Sequence, residues 1–278
     1  MFALVFGLFG LIVGSFLNVL IIRHGVRSVG GRSGCMACGA RLKWYDMIPV
    51  FSWIALGGKC RECRAPISVQ YPLVEATTAI LFAAIGGAPF VGIFYKILLC
   101  AEAAILIAIA AYDIRHTIIP DEWAYTFAGF SFLIGGSLVS LGETSTVALF
   151  LLAGPLAAAP LFLLWLVSGG RWMGLGDSKL ALGIGWLLGF PLGLVAVFLS
   201  FIIGAVISVG VLMPLPHILQ ALQKYGITSL DMPSGRFTMS SEIPFGPFLI
   251  ISCITLWLCT LYGIDPLHDL GILPLGGY

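Results

Sequence analysis

From Phe2 to Ile22 the chain runs without a single charged side chain. A helix needs about 20 mainly apolar residues to cross the hydrocarbon core, where every backbone polar group has to be satisfied within the segment. The stretch therefore reads as a membrane-spanning helix. It does not read as a secretory signal, because no basic residue precedes it and its first cations follow it. Further apolar runs recur at about 72–89, 92–112, 123–141, 147–168, 179–190, 192–213 and 246–263. The pattern predicts an all-α polytopic membrane protein of about eight transmembrane helices. The run 179–190 is the weakest, separated from the next only by Phe190-Pro191, and without it the count is seven. Composition agrees: 59% of the 278 residues are hydrophobic and 10% charged. Soluble domains carry roughly 25% charged residues, so this chain lacks the polar surface a soluble globule needs. The net charge of +1 gives no reason to expect a nucleic-acid partner.

The few charges set an orientation. Eight of the 14 Lys and Arg lie between residues 23 and 64. Under the positive-inside rule, residues 23–71 are cytosolic and the N-terminus lies outside. Alternation then places the loops near 113–121, 169–178 and 214–245 inside, with Arg115, Arg171, Lys179, Lys224 and Arg236. The outer segments hold Glu143, Asp265 and Asp269. Lys96 alone dissents, at an outer helix end from which its long side chain would snorkel to water. Three parts follow: a first transmembrane helix at 1–22, a cytosolic domain at 23–71, and a helical bundle at 72–278.

The 23–71 segment is too small to build much hydrophobic core without a staple. It contains Cys35-x2-Cys38 and, after a 21-residue spacer, Cys60-x2-Cys63. Four thiolates from two such turns can surround Zn2+ tetrahedrally, with spacing close to that of a zinc ribbon. Gly34 and Gly39 flank the first pair and Gly57-Gly58 precede the second, in turns that call for positive φ. Paired disulfides sit badly with a reducing compartment. Redox catalysis by the C-x2-C pairs is the remaining alternative, although nothing here resembles a thioredoxin-type βαβ unit. Cys100, Cys253 and Cys259 fall within spans and read as small apolar residues.

Ionisable groups inside a membrane segment are costly and hence functional candidates. Asp113 closes the third span and Asp177 stands before the sixth, both at the predicted cytoplasmic side and at similar depth. Two carboxylates sharing one site hold one proton between them, so one can act as base on a water while the other polarises a carbonyl. Gly174 and Gly176 remove side chains beside Asp177 and would let an extended peptide approach. The alternative is structural, with each Asp a helix cap or the partner of Arg115 or Lys179. Glu75 and Glu102 are further intramembrane acids and read first as packing residues. His24, His116, His217 and His268 have no ligand-like spacing.

At these residues a resemblance enters. Gly14-Ser15-Phe16-Leu17-Asn18-Val19, the two C-x2-C pairs enclosing Trp44 to Trp53, Tyr71-Pro72-Leu73-Val74-Glu75, Asp113 with Ile119-Pro120-Asp121, Gly174-Leu175-Gly176-Asp177 and Glu242-Ile243-Pro244-Phe245-Gly246-Pro247 follow one another in order. Together they resemble the bacterial prepilin peptidases, whose second aspartate motif is the GxGD signature shared with presenilin-like proteases. The resemblance implies that Asp113 and Asp177 are catalytic. It also implies cleavage of a basic leader from type IV prepilins or type II secretion pseudopilins at the cytoplasmic face of the bacterial inner membrane, after Gly and before Phe or Met. For members with the cysteine domain it further implies methylation of the new N-terminus from S-adenosylmethionine. Met36 departs from the family, where Pro often follows the first Cys. No glycine-rich nucleotide motif marks the methyl donor's place; Glu75 and the loop Trp44–Trp53 are the candidates. Asp121 and Glu122 suit a basic leader better than the cationic 23–71 domain does. Two rival functions stand: a membrane thiol–disulfide oxidoreductase using the four cysteines, and a proton-coupled transporter using Asp113, Glu102 and Asp177, against which the lack of inverted-repeat halves counts.

Overall fold

The computed structural model describes residues 1–26, 28, 30–139, 144–214 and 244–266. Among the described residues it is all-helical apart from two isolated β-bridges. Nine α-helices follow in order: α1 (Phe2–Arg23), α2 (Phe51–Ala55), α3 (Gln70–Gly87), α4 (Ile93–His116), α5 (Asp121–Leu138), α6 (Thr144–Ser168), α7 (Leu175–Leu188), α8 (Leu192–Ile207) and α9 (Gly246–Leu261). Each of the eight apolar runs falls in one of these helices. Four helical stretches, Phe2–Arg23, Ile93–His116, Thr146–Ser168 and Leu192–Gly210, are long and apolar enough to cross a membrane, and α9 is a shorter apolar helix. Lys224, Arg236, Glu143, His217, His268, Asp269 and the Glu242-Ile243 start of the last motif lie outside the described residues.

Close approach between helices is set by small residues, as expected where lipid supplies no hydrophobic drive between them. A Cβ on Gly14 of α1 would come within 2.7 Å of the Glu75 backbone in α3, and one on Gly10 within 2.8 Å of that of Ala79. The other side of α1 shows Leu4, Leu8, Ile12 and Phe16, exposed at four-residue spacing, the stripe a lipid-facing helix needs. Across the bundle, Gly185 of α7 lies against the Ala153 backbone of α6, and a Cβ on Gly193 of α8 would sit 2.7 Å from Gly185 Cα.

Two apolar cores result. One gathers Leu106, Phe127, Leu161, Leu180, Ile184 and Leu249 from α4 to α9; the other gathers Ile21, Phe82, Ile85 and Ala103 from α1, α3 and α4. The helix α4 serves both, so a side chain at its end is fixed from two sides. Lys96 corrects an expectation. It does not snorkel: it is 7% exposed, and its Nζ donates to the Gly86 carbonyl at 2.8 Å. A cation on the open carbonyls of a helix C-terminus is favoured there. Glu102 is buried and accepts from Ser131 Oγ at 2.7 Å, tying α4 to α5. Cys100 and Cys253 are buried, whereas Cys259 is half-buried.

The segment between α1 and α3 folds as two matching turns. Cys35 N–H donates to the Ala40 carbonyl and Gly39 N–H to that of Cys35; Cys60 N–H donates to Ala65 and Arg64 N–H to Cys60 in the same pattern. The residue four after the first Cys is left-handed in both, with φ +71° at Gly39 and +59° at Arg64. The turn geometry that Gly39 adopts without strain is thus forced on an arginine in its twin. Arg61 of the second turn grips Asp46 Oδ1 at 2.8 Å and fastens the intervening Trp44–Met47 turn.

Candidate functional site

Three distant stretches meet at the end of the bundle that carries the cysteine segment. His24, just past α1, packs its ring on Tyr112 of α4 (5.3 Å between centroids) and on Trp123 of α5 (4.6 Å). His116 stacks on Tyr112 at 4.3 Å. These two histidines therefore sit in an aromatic cluster that pins α1 to the α4–α5 corner.

Asp113 lies in the last turn of α4, which continues to His116 rather than ending at the aspartate. Its carboxylate is 3% exposed and accepts the Gly246 N–H of α9 at 3.1 Å. A Cβ on residue 246 would lie 2.6 Å from Asp113 Oδ2, so this bond requires glycine there.

Asp177 lies within the first turn of α7, not ahead of the helix as expected, because the helix begins at Leu175. It is 8% exposed, and its carboxylate reaches back to the Gly174 backbone, half of a capping box. The two carboxylates are near enough to act on each other electrostatically, with Ile119 wedged beside both. A Cβ on Gly176 would meet Ile119 Cβ at 3.0 Å, and one on Gly246 would meet Ile119 Cδ1 at 3.2 Å. Gly176 is thus filled by the α4–α5 loop, whereas Gly174 leaves ordinary room beside Asp177, 3.7 Å from Oδ2. Lys179 is not a partner of Asp177: its Nζ lies 2.7 Å from Asp121 Oδ1. That pair also reduces the charge Asp121 can offer a basic peptide, while Glu122 stays exposed.

Gly246 and Ile119 were not singled out from sequence. The Glu242–Pro247 block and Ile119-Pro120-Asp121 were visible as motifs, but nothing local says that the backbone of one caps a carboxylate 133 residues away.

The four cysteines Cys35, Cys38, Cys60 and Cys63 converge, all four sulfurs lying within 4.8 Å of one another. Cys35 Sγ and Cys63 Sγ are 3.8 Å apart. A tetrahedron with metal–sulfur bonds of about 2.3 Å has edges of about 3.8 Å, so the group can hold a metal ion. The backbone N–H groups of Cys38 and Ala37 bring the Cys35 thiol down to about 6, which favours the thiolate that a metal binds.

Glu75 stands one face of α3 away from this cluster. It is 6% exposed, and its Oε2 accepts the Val50 N–H at 2.7 Å. Val50 has φ +61° and ψ −53°, and Phe51 N–H donates to the Pro49 carbonyl. This is a γ-turn, rare for a β-branched residue, held in place by the buried carboxylate.

Residues 8–87 match the bacterial peptidase A24 N-terminal domain, and residues 100–209 match the type IV leader peptidase family. A prepilin leader peptidase/N-methyltransferase of Aeromonas hydrophila is 32% identical over 293 residues, 94% of this chain and 91% of that protein. The protein of the same name from Xanthomonas campestris pv. campestris is 30% identical over 92% of this chain and 90% of its own length. That from Pseudomonas aeruginosa is 30% identical over 92% and 89% respectively. No solved structure matches. Matched from its first helix through its paired carboxylates, and aligned with full-length relatives almost end to end, the chain belongs to the type IV leader peptidase family.

Proposed function

We propose that the chain is a bifunctional membrane enzyme: an aspartic endopeptidase that removes the leader of type IV prepilins or type II secretion pseudopilins, and an N-methyltransferase acting on the residue so exposed. The observation that carries the peptidase half is the convergence of Asp113 and Asp177, both buried at one end of the bundle, with Lys179 engaged elsewhere. One carboxylate, ionised, takes a proton from a water; the other, protonated, donates to the scissile carbonyl as the tetrahedral centre forms. The proton is then returned to the leaving amine, and the pair is ready again. Gly246 N–H holds Asp113 in orientation throughout.

In this reading all eight long helices span the bilayer, the four shorter or more polar ones being packed among the four that qualify by length. The 23–71 domain, Asp113 and Asp177 face the cytoplasm, and the N-terminus lies outside. A substrate with its apolar helix in the bilayer and its basic leader in the cytosol then presents the scissile bond at the depth of the two aspartates. The metal of the four-cysteine cluster is Zn2+, a structural staple. The convergence of four sulfurs, rather than two separate pairs, favours this over redox chemistry. The methyl group comes from S-adenosylmethionine.

The deciding experiment incubates the purified enzyme in detergent with a prepilin and S-adenosylmethionine and reads the product by mass spectrometry. The expected product lacks its leader and carries one added methyl group. An intact prepilin sinks the peptidase reading, and a cleaved but unmethylated one limits the enzyme to its first activity.

A second expectation tests the geometry around the carboxylates. In Gly246→Ala both aspartates remain, but the added methyl pushes into Asp113 Oδ2. Misplacing a reacting group by about 1 Å costs on the order of 10²-fold, so kcat should drop by that order with KM little changed. Wild-type kcat in this variant would remove Gly246 from the machinery.

A further inference from the structure

A cavity of about 480 Å³ lies between the cysteine segment and the ends of α1, α3 and α4. Its volume falls in the range of small-molecule and cofactor sites. Ser15 and Val19 line it from α1, Tyr71 and Glu75 from α3, Trp53 from the segment between them, and Arg115 from α4. Neither Asp113 nor Asp177 is among its walls. Arg115 follows Asp113 by two residues, so the cavity opens one helical step from the carboxylate pair.

The chemistry of the walls is specific. The Glu75 carboxylate is buried among the helices and held by two uncharged donors, the Val50 N–H at 2.7 Å and the Ser15 hydroxyl. A carboxylate so placed keeps its acceptor capacity turned to whatever enters, and it favours a cation. Arg115 offers a fixed positive charge suited to a carboxylate. Trp53, whose Nε1–H is taken by the Ile67 carbonyl at 3.2 Å, is set edge-on in the wall, with Tyr71 opposite as a second ring. A buried anion, an exposed guanidinium and aromatic walls together fit a ligand with a cationic centre, a carboxylate and a flat heterocycle.

Resting on the bifunctional reading above, we propose that this cavity binds S-adenosylmethionine, with the Glu75 carboxylate facing the sulfonium and Arg115 its methionyl carboxylate. The amine released at Asp113 and Asp177 then has only a short way to travel. As a free base it forms the nitrogen–carbon bond to the sulfonium methyl while the carbon–sulfur bond breaks. The thioether leaves, and the surplus proton on the new secondary amine passes to water.

The test measures equilibrium binding of S-adenosylmethionine and of its uncharged thioether product, S-adenosylhomocysteine, to the full chain purified in detergent with its metal retained. Glu75→Gln keeps an oxygen acceptor for the Val50 N–H and removes only the charge. Wild type should bind the sulfonium more tightly than the thioether. Glu75→Gln should lose about tenfold or more of affinity for the sulfonium while holding the thioether within about twofold. Loosened structure would weaken both ligands alike, so the ratio reports the charge. Val19→Phe, which fills the cavity from α1, should weaken both ligands. An unchanged ratio in Glu75→Gln, or wild-type binding by Val19→Phe, places the donor elsewhere and leaves the bifunctional reading intact. Wild type that binds neither ligand and adds no methyl overturns that reading as well.

Discussion

Asp113→Asn and Asp177→Asn should each abolish leader cleavage, lowering kcat/KM by on the order of 10³-fold or more. Asn matches Asp in shape, and its carbonyl oxygen can still accept the Gly246 N–H that holds Asp113 at 3.1 Å. The loss therefore reports missing charge and proton transfer rather than a collapsed site. Two groups that work as one unit are not additive, so the double variant should be little worse than either single one. Time courses of leader loss from a detergent-solubilised prepilin measure this, with melting temperature and bound metal as controls. A wild-type rate in either single variant would show that its carboxylate is a structural cap.

The second large effect concerns the cysteine segment. Removing the metal with a chelator, or substituting Cys38→Ser, should release its fold. Between residues 23 and 69 there is little apolar burial to replace a staple: Trp44, Phe51 and Ile54 are exposed, and Cys60 is the buried hydrophobic residue there. Structural zinc sites contribute roughly 10–16 kcal/mol of apparent binding free energy, more than a segment of this size earns from packing. The expected results are loss of about one zinc per chain by elemental analysis and rapid tryptic cutting at Arg32, Arg41, Lys59 or Arg64. Methyl transfer should fail together with them. If the metal-free protein resists trypsin as the holoprotein does, the staple is unnecessary and the cluster needs another role.

Much of this was legible in the sequence because the bilayer restricts the options so severely. An uncharged run such as Phe2–Ile22 has one stable solution, and all eight apolar runs do lie in helices. The convergence of Cys35, Cys38, Cys60 and Cys63 was likewise readable, since two short turns that each present two thiols have few ways to satisfy them. Helix ends were less legible. Asp177 looked like a loop residue because Gly174 and Gly176 break the apolar pattern, yet α7 starts at Leu175 and the aspartate caps its own first turn. Lys96 looked like a snorkelling cation because the sequence does not show that α3 ends with an open carbonyl beside it. Gly176 was read as clearance for a substrate, but its space is taken by Ile119. Contacts of this sort depend on pairings between distant segments, which periodicity and composition do not encode. The grip of Glu75 on Val50 and the cavity beside it belong to the same class.

The bond between Gly246 and Asp113 also has a consequence for biogenesis. The carboxylate is contributed by a helix made early, and the N–H that orients it belongs to the helix made after it and after α7, since domains emerge from the ribosome in order from the N-terminus. A nascent chain that has already inserted α4 and α7 holds both aspartates but lacks the donor that sets their geometry. Proteolytic competence is thereby deferred until α9 has joined the bundle, and half-made copies in the same membrane are kept from cutting neighbouring helices.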